Sequence, residues 1–476
     1  MRTPISDGRV GRALRRIGLH PELWAGLSPN GITQQKPRHY RDMARIAVDN
    51  AHHPKYAWDV LTKGVCDGCA LGVAGLHDWT IDGVHLCTTR LELLELNTAD
   101  PLDPILLSDV DALRSRSGRE LRALGRLAHP MRRRRGEAGF RRITWDEALD
   151  ASAGALAATT PERMAVFLTS RGLTNETYYA AGKAARALGT ANIDSAARVC
   201  HAPSTLGLKA TIGVAASTCS LRDVIESDLV VLWGTNPANN QPVFMKYLDQ
   251  AKRNGTRVVV VNPFLEPGLE RYWVPSSAES AVFGTRICDL HVPVRPGGDI
   301  ALANAVLKAL IARRAVDHSF IDHHTNGWAE TVAALDAQDL DDLLRQAGVD
   351  ADTFERFVDL YAGADASVLI WSMGITQHTF GVEGVQGIVN LGLARGNVGR
   401  NGAGLMPIRG HSGVQGGAEM GAYATALPGG VGIDAGSAAA LSQQWGFPVP
   451  DHDGLTAPEM VEAAARGALD VVWTSR

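Results

Sequence analysis

The stretch Asp228-Leu-Val-Val-Leu-Trp-Gly-Thr-Asn-Pro-Ala-Asn-Asn240, followed by an amphipathic run to Arg253 and then by Arg257-Val-Val-Val-Val-Asn-Pro263, decides the fold. Both short apolar runs are apolar at every position rather than at alternate ones. That pattern suits strands buried on both faces, as in a parallel sheet covered by helices. Glycine or Asn-Pro closes each run, where a chain must turn tightly or approach a ligand closely. Working outward, the spacing predicts further strands over Met164–Thr169, Ser367–Ser372 and Leu469–Trp473. Helices are expected over Asn175–Leu188, Pro242–Arg253, Ala301–Arg313 and Val382–Ala394. Thr144 and Glu147 stand at capping-box spacing and start another helix. In such α/β sheets ligands bind outside the carboxyl ends of the strands. Three post-strand loops are distinctive: Gly234-Thr-Asn-Pro237, Asn262-Pro263 and Met373-Gly-Ile-Thr-Gln377.

A chain of 476 residues exceeds one hydrophobic core and divides into two or three domains. A net charge of −4 and a pI near 6.4 point to neither nucleic acid nor an anionic membrane as partner. No apolar run reaches the roughly 18 residues that a membrane helix needs, so no membrane span is expected. Arg15-Arg16 could open a twin-arginine signal, but Ile17 to Ser28 supplies no apolar stretch after it; the expected location is cytoplasmic. Six cysteines in such a chain are thiols, metal ligands or catalytic groups rather than a disulfide framework.

Cys66-x-x-Cys69 with Cys87 gives three soft donors, suited to zinc or to iron–sulfur; three buried thiols is the plainer reading. Cys200-His201 places a thiol beside an imidazole, as in a nucleophile pair or in a metal ligand with a proton acceptor. Most such neighbours are structural. Arg409-Gly-His411 lies in a glycine-dense loop, Gly402 to Gly421, that also holds Gln415. An arginine there can hold a small carboxylate in bidentate fashion, or be merely solvated. The glycine density is read as close contact with a large ligand. Cys219 and Cys288 read as core thiols, and Arg132–Arg135 as a solvated face. No GxGxxG follows a strand, and Walker A, GxSxG and HExxH motifs are absent.

Taken in order along residues 60 to 476, these stretches resemble the molybdopterin oxidoreductases that use a bis(molybdopterin guanine dinucleotide) cofactor, formate-dehydrogenase-like alpha subunits above all. The resemblance implies an α/β fold made of an N-terminal iron–sulfur segment plus two doubly wound parallel-sheet domains. Its expected division is an extension over 1–60, an iron–sulfur segment over 61–110, a discontinuous α/β domain over 111–195 and 365–476, and an inserted α/β domain over 196–364. A further C-terminal cofactor-binding domain is expected as well, and the last strand stops at Arg476 as if the chain were cut short. Cys200 matches the family's molybdenum ligand, His201 the proton acceptor beside it, and Arg409 the arginine that orients formate. His411 stands where the family has glutamine. Arg171, in Ser170-Arg171-Gly172, matches a cofactor-contacting loop. Gly234, Asn236, Asn239 and Asn240 match the loop that holds one dinucleotide, and Asn262 stands in the family's Asp-Pro-Arg turn. Gly297 and Asp299 match a second dinucleotide contact, and Met373, Gly374 and Gln377 the pterin-side loop. Cys66, Cys69 and Cys87 match ligands of a [4Fe–4S] cluster. Val73 replaces its other cysteine, leaving His77, Asp67 or solvent as candidate fourth donor, and the usual lysine after the last ligand is Thr89, with Arg90 adjoining. The implied reaction is two-electron oxidation of formate or a similar oxyanion, with electrons passing through the cluster to an acceptor protein or subunit. Nitrate reduction on the same scaffold is one rival. A non-catalytic electron-transfer or assembly subunit is the other.

Overall fold

The computed structural model describes residues 39–475 apart from 65, 73–74 and 78–79. The Arg15-Arg16 pair, most of the expected extension and the Val73 position lie outside the described residues.

Two parallel sheets carry the chain. The smaller is built from β1 (Met164–Leu168), β2 (Ile193–Ser195) and a late strand, Val471–Ser475, in which the late strand pairs with β1 and β1 with β2. The larger has five strands: β3 (Leu229–Trp233), β4 (Arg257–Val261), β5 (Leu290–Val292), β6 (Ser367–Trp371) and β7 (Gly404–Pro407), in the spatial order β7-β6-β3-β4-β5. The late strand of the small sheet is β8. All pairings within these two sheets are parallel.

The apolar run Leu229–Trp233 explains the larger sheet. Period-two geometry sends Leu229, Val231 and Trp233 to one face and Val230 and Leu232 to the other. The first set joins a core with α3 (Ala202–Ile212), α5 (Asp299–Ala312), α6 (Ala351–Gly363) and α7 (Gly381–Ala394). The second set packs against Phe244, Met245, Tyr247 and Leu248 of α4 (Phe244–Arg253). Of the two helices earlier in the chain, α1 (Thr88–Asn97) follows Cys87, and α2 (Asn175–Ala187) lies beside the small sheet's core with Tyr178 and Ala185. The capping box at Thr144 and Glu147 is formed, and starts the helix Trp145–Ala157.

One expected division moves. The boundary at 364/365 would send Ser367–Trp371 back to the first domain, but β6 pairs in full register with β3, Ser367 opposite Leu229 and Trp371 opposite Trp233, and β7 adds outside it. The physical reason is burial: all five residues of β6 are buried, and such a strand belongs between two others. The chain therefore leaves the large sheet only after Pro407. Strands β2, β5 and β7 escaped the sequence reading because they are three or four residues long, β5 is interrupted by His291, and β7 opens on glycine and ends on proline.

Candidate active site

The loops after β1, β3, β6 and β7 converge at the carboxyl ends of the strands. Gly234 has φ +59° and Gly374 packs directly on it, so that a Cβ on Gly374 would lie 2.6 Å from the Gly234 Cα. The Gly374 amide donates to the Gly234 carbonyl at 2.9 Å. Loop-against-loop packing by itself requires these two glycines. Much of the 402–421 loop behaves likewise: a Cβ on Gly413 or Gly416 would strike Tyr178 or Asn175. Gly410 alone among these has open space, and it lines a cavity.

That cavity, of about 200 Å³, is lined by Cys66, Cys69, Cys87, Arg171, Cys200, Asn239, Asn240, Met373, Gly410 and His411, among others. Three cysteines from the N-terminal segment thus share one space with the cysteine that follows β2. The segment is held there by backbone and lysine contacts. The Ala70 amide donates to the Gly410 carbonyl at 3.0 Å, and Lys246 Nζ of α4 donates to the carbonyls of Asp82 and Val84 at 3.3 and 2.8 Å. Burial pushes the Cys69 thiol up to about 11, aided by its Cys87 and Cys66 neighbours and opposed by Arg171. Burial likewise raises Cys87. Thiols in this state need a metal's charge to ionise. Among the described residues no three His, Cys, Asp or Glu side chains converge on a preformed single-ion site. Thiols set around one cavity suit a multi-iron cluster, whose ligands sit on different irons. Of the guessed fourth donors, neither His77 nor Asp67 lines the cavity; His77 is exposed, with Nδ1 3.2 Å from the Gly83 carbonyl. Arg90 lines it, but its guanidinium donates to the carbonyls of Val60 and Gly64 at 2.9 and 2.7 Å.

Cys200 is buried, with Sγ 3.5 Å from Met373 Sδ. Its carbonyl accepts from Thr376 Oγ1 at 2.6 Å, and the preceding Val199 carbonyl accepts from Gln377 Nε2 at 2.8 Å. The loop after β6 therefore fixes the backbone that presents the thiol. Burial raises the Cys200 thiol, and the charge of Arg409 opposes that shift. His201 and Arg409 line a second cavity of about 430 Å³, together with Lys209, Gln415, Glu419 and Tyr423. Cys200 and His201, adjacent in sequence, so line different cavities, and the charge of Arg409 acts on both. His201 Nδ1 lies 3.0 Å from Ser204 Oγ, which also accepts from Trp371 Nε1 at 3.0 Å. Burial and then Arg409 push the imidazole down to about 3, so it is neutral at neutral pH. Arg409 donates only to carbonyls, those of Pro407 and Ala215, each at 3.3 Å.

Among the described residues, two buried nitrogens here, His201 Nε2 and Arg409 Nε, have no hydrogen-bond partner, nor do Ser170 Oγ, Thr235 Oγ1 and Gln241 Oε1 on neighbouring strand-end loops. Buried polar atoms are nearly always paired, and the residues carrying the first two, His201 and Arg409, line the larger cavity, where water or a polar ligand would complete them. Gln241 was missed by the sequence reading. It is fully buried and its Nε2 donates to the Arg409 carbonyl at 2.8 Å; its one local signal is its place directly after Asn239-Asn240. The remaining candidates frame the site. Asn236 accepts from the Asn239 amide at 3.3 Å, and Asn262 Nδ2 donates to the Thr235 carbonyl at 3.0 Å. Asp299, in the first turn of α5, accepts from Trp233 Nε1 at 2.8 Å and is raised by burial. Neither it nor Gly297 lines either cavity. His411 lines the thiol cavity, where burial and Arg171 lower it.

The family model described as molybdopterin oxidoreductase matches residues 126–476. Formate dehydrogenase H of Escherichia coli is 33% identical over 73% of this chain and 47% of its own length. The F420-dependent formate dehydrogenase 2 subunit alpha of Methanococcus maripaludis is 33% identical over 64% of this chain and 42% of its own. Protein YdeP of Shigella flexneri is 32% identical over 75% and 48%. The chain spans about half the length of the curated relatives it matches. With the family model covering most of its residues, the chain belongs to the molybdopterin oxidoreductase family.

Proposed function

We propose that this chain forms the cofactor-holding part of a formate-dehydrogenase-like catalytic subunit that oxidises formate, or a similar small oxyanion, and passes the electrons to an iron–sulfur cluster. The observation that carries the reading is the shared cavity: Cys200 faces the same space as Cys66, Cys69 and Cys87, with Arg409 acting on its thiol. Family membership implies an oxidoreductase with a molybdenum–pterin cofactor. The guanine dinucleotide form and the [4Fe–4S] cluster are part of the proposal, as is a cytoplasmic setting, which six free cysteines suit.

The residues fit these groups. Cys200 would bind molybdenum, Arg171, Asn239, Asn240 and Met373 would border the pterin ends, and Cys66, Cys69 and Cys87 would hold the cluster. When bound, the molybdenum–pterin group supplies the two-electron acceptor. The chain's own side chains do the rest. The Arg409 guanidinium, held by two carbonyls and otherwise unpaired at Nε, pairs with the substrate carboxylate and fixes its orientation. Burial strengthens that pairing by excluding water. In the tautomer that donates from Nδ1 to Ser204, His201 Nε2 carries a lone pair and is the proposed acceptor of the proton that formate oxidation releases, once the bound carboxylate offsets the Arg409 charge that, with burial, holds the imidazole down. Gln241 keeps the Arg409 backbone in place.

The test is formate-dependent dye reduction and nitrate-dependent dye oxidation by cofactor-loaded protein. Formate turnover is expected, and Arg409→Lys should cut kcat/KM by about tenfold or more, because the charge stays while the bidentate fork is lost. Nitrate turnover without formate turnover would sink the formate reading.

A further inference from the structure

Between Arg114 and Arg142 the chain carries eleven arginines, no lysine and two acidic residues, Glu120 and Glu137. This net +9 stands in a chain whose overall charge is −4. Among the described residues only Arg114 of the eleven forms an ion pair, with Asp111 at 2.6 Å. Arg132 and Arg141 sit directly opposite each other in a short antiparallel hairpin, and like charges so placed cost stability. Among the described residues neither arginine forms an ion pair that would offset it. Exposed Leu121, Leu127, Phe140 and Trp145 are interleaved with the arginines. Arginine with aromatic side chains, and without lysine, is the composition of a protein–protein interface rather than of a plain solvated face.

The position of this face is equally specific. The segment is a small unit of its own, closed by backbone bonds from Arg126 to Asp100 at 2.8 Å, Val110 to Ala138 at 3.1 Å and Phe140 to Leu107 at 2.6 Å. It is fastened to α1 by Arg126, whose guanidinium donates to Asn97 Oδ1 at 3.2 Å. Cys87 is the residue that caps the other end of α1, a helix about 15 Å long. The arginine face is therefore tied to the element that leads out from the three-cysteine cavity. It is not part of either cavity, and the family match begins only at residue 126.

We propose that the arginine-rich face over residues 114–142 docks an acidic electron-transfer protein, which collects electrons from the iron–sulfur segment. The redox part rests on the function proposed above; the docking does not require turnover. Each formate oxidised to CO2 releases two electrons and one proton, so two one-electron acceptor molecules dock and are reduced in turn, while the proton leaves to solvent.

The probe is an acidic [2Fe–2S] ferredoxin, with a basic cytochrome c, phosphatidylglycerol vesicles and a DNA duplex as comparisons. Binding to the purified 476-residue chain is measured by calorimetry at low and moderate salt. Ferredoxin is expected to bind with an affinity that falls as salt rises, and cytochrome c not to bind. The variant R132E/R133E/R134E/R135E should weaken ferredoxin binding about tenfold or more while leaving viologen-coupled turnover unchanged. R134Q/R135Q should give a smaller loss, and supplies the test if the fourfold reversal fails to fold. Wild-type ferredoxin affinity in either folded variant would overturn the proposal, as would tighter binding to vesicles or DNA than to ferredoxin. Charge-dependent ferredoxin binding in protein that turns over no formate would support the docking face and refute the formate reading.

Discussion

At Gly234 a methyl group would lie 2.8 Å from the Gly374 carbonyl carbon, in a backbone with φ +59°. Gly297 has φ +83° and nothing within 4 Å of the same methyl position. The pair separates two costs that both read as glycine in a sequence. Gly297→Ala should cost about 1–2 kcal/mol of unfolding free energy from the left-handed backbone alone. Gly234→Ala should cost more, since two strand-end loops must part, and urea denaturation of the two variants measures the difference. Equal losses would mean that the loops yield freely. The sequence showed that glycine mattered at both places but not why, because the partner loop arrives from 140 positions away. Cys200, His201 and Arg409 were singled out by the collinear order of the family resemblance, not by their neighbours alone. That Cys200 and His201 open into different cavities was not legible, since side-chain direction at the start of α3 depends on Met373, Thr376 and Ser204 from distant or later turns.

At the scale of elements, β8 is an edge strand whose entry is clipped to that of β1. Asp470 accepts from Arg163 Nε and Nη2, each at 2.7 Å, and from Thr159 Oγ1 at 2.8 Å. The hydrogen bonds from Arg163 and Thr159 pull the carboxyl down from 3.8 to about 2. A depressed carboxylate contributes stability that is present above its unfolded value and is lost as pH falls toward its folded one. Asp470→Asn should therefore lower the urea midpoint at pH 5 to 7, and its deficit should shrink as pH drops from about 4 to about 2. A deficit independent of pH would assign the effect to shape rather than charge. Elements with long unbroken apolar runs were legible to within a residue or two: β4 over Arg257–Val261, β6 over Ser367–Trp371. The division at 364/365 was not, because strand pairing is decided by which neighbour buries both faces, and nothing local in Ser367–Trp371 says whether that neighbour is β1 or β3.

At the scale of the whole molecule, two parallel sheets and a cysteine segment meet where their strands end, and the meeting brings four thiols into one cavity. No helix among the described residues is long and apolar enough to cross a membrane. The order of motifs pointed to the strand-end loops, which gather whatever residues they carry, but not to a space that Cys200 shares with the cysteine segment. It could not foretell that His77 and Asp67 would stand outside the cavity, nor that the 114–142 arginines would form a face fastened to α1. The account turns on Cys200 as a metal ligand inside that shared space. Molybdenum K-edge X-ray absorption on loaded wild-type protein and Cys200→Ser, with iron content measured on both, tests it most directly. One sulfur neighbour fewer around molybdenum in the variant, at unchanged iron, is the predicted result; identical sulfur shells in the two proteins would contradict it.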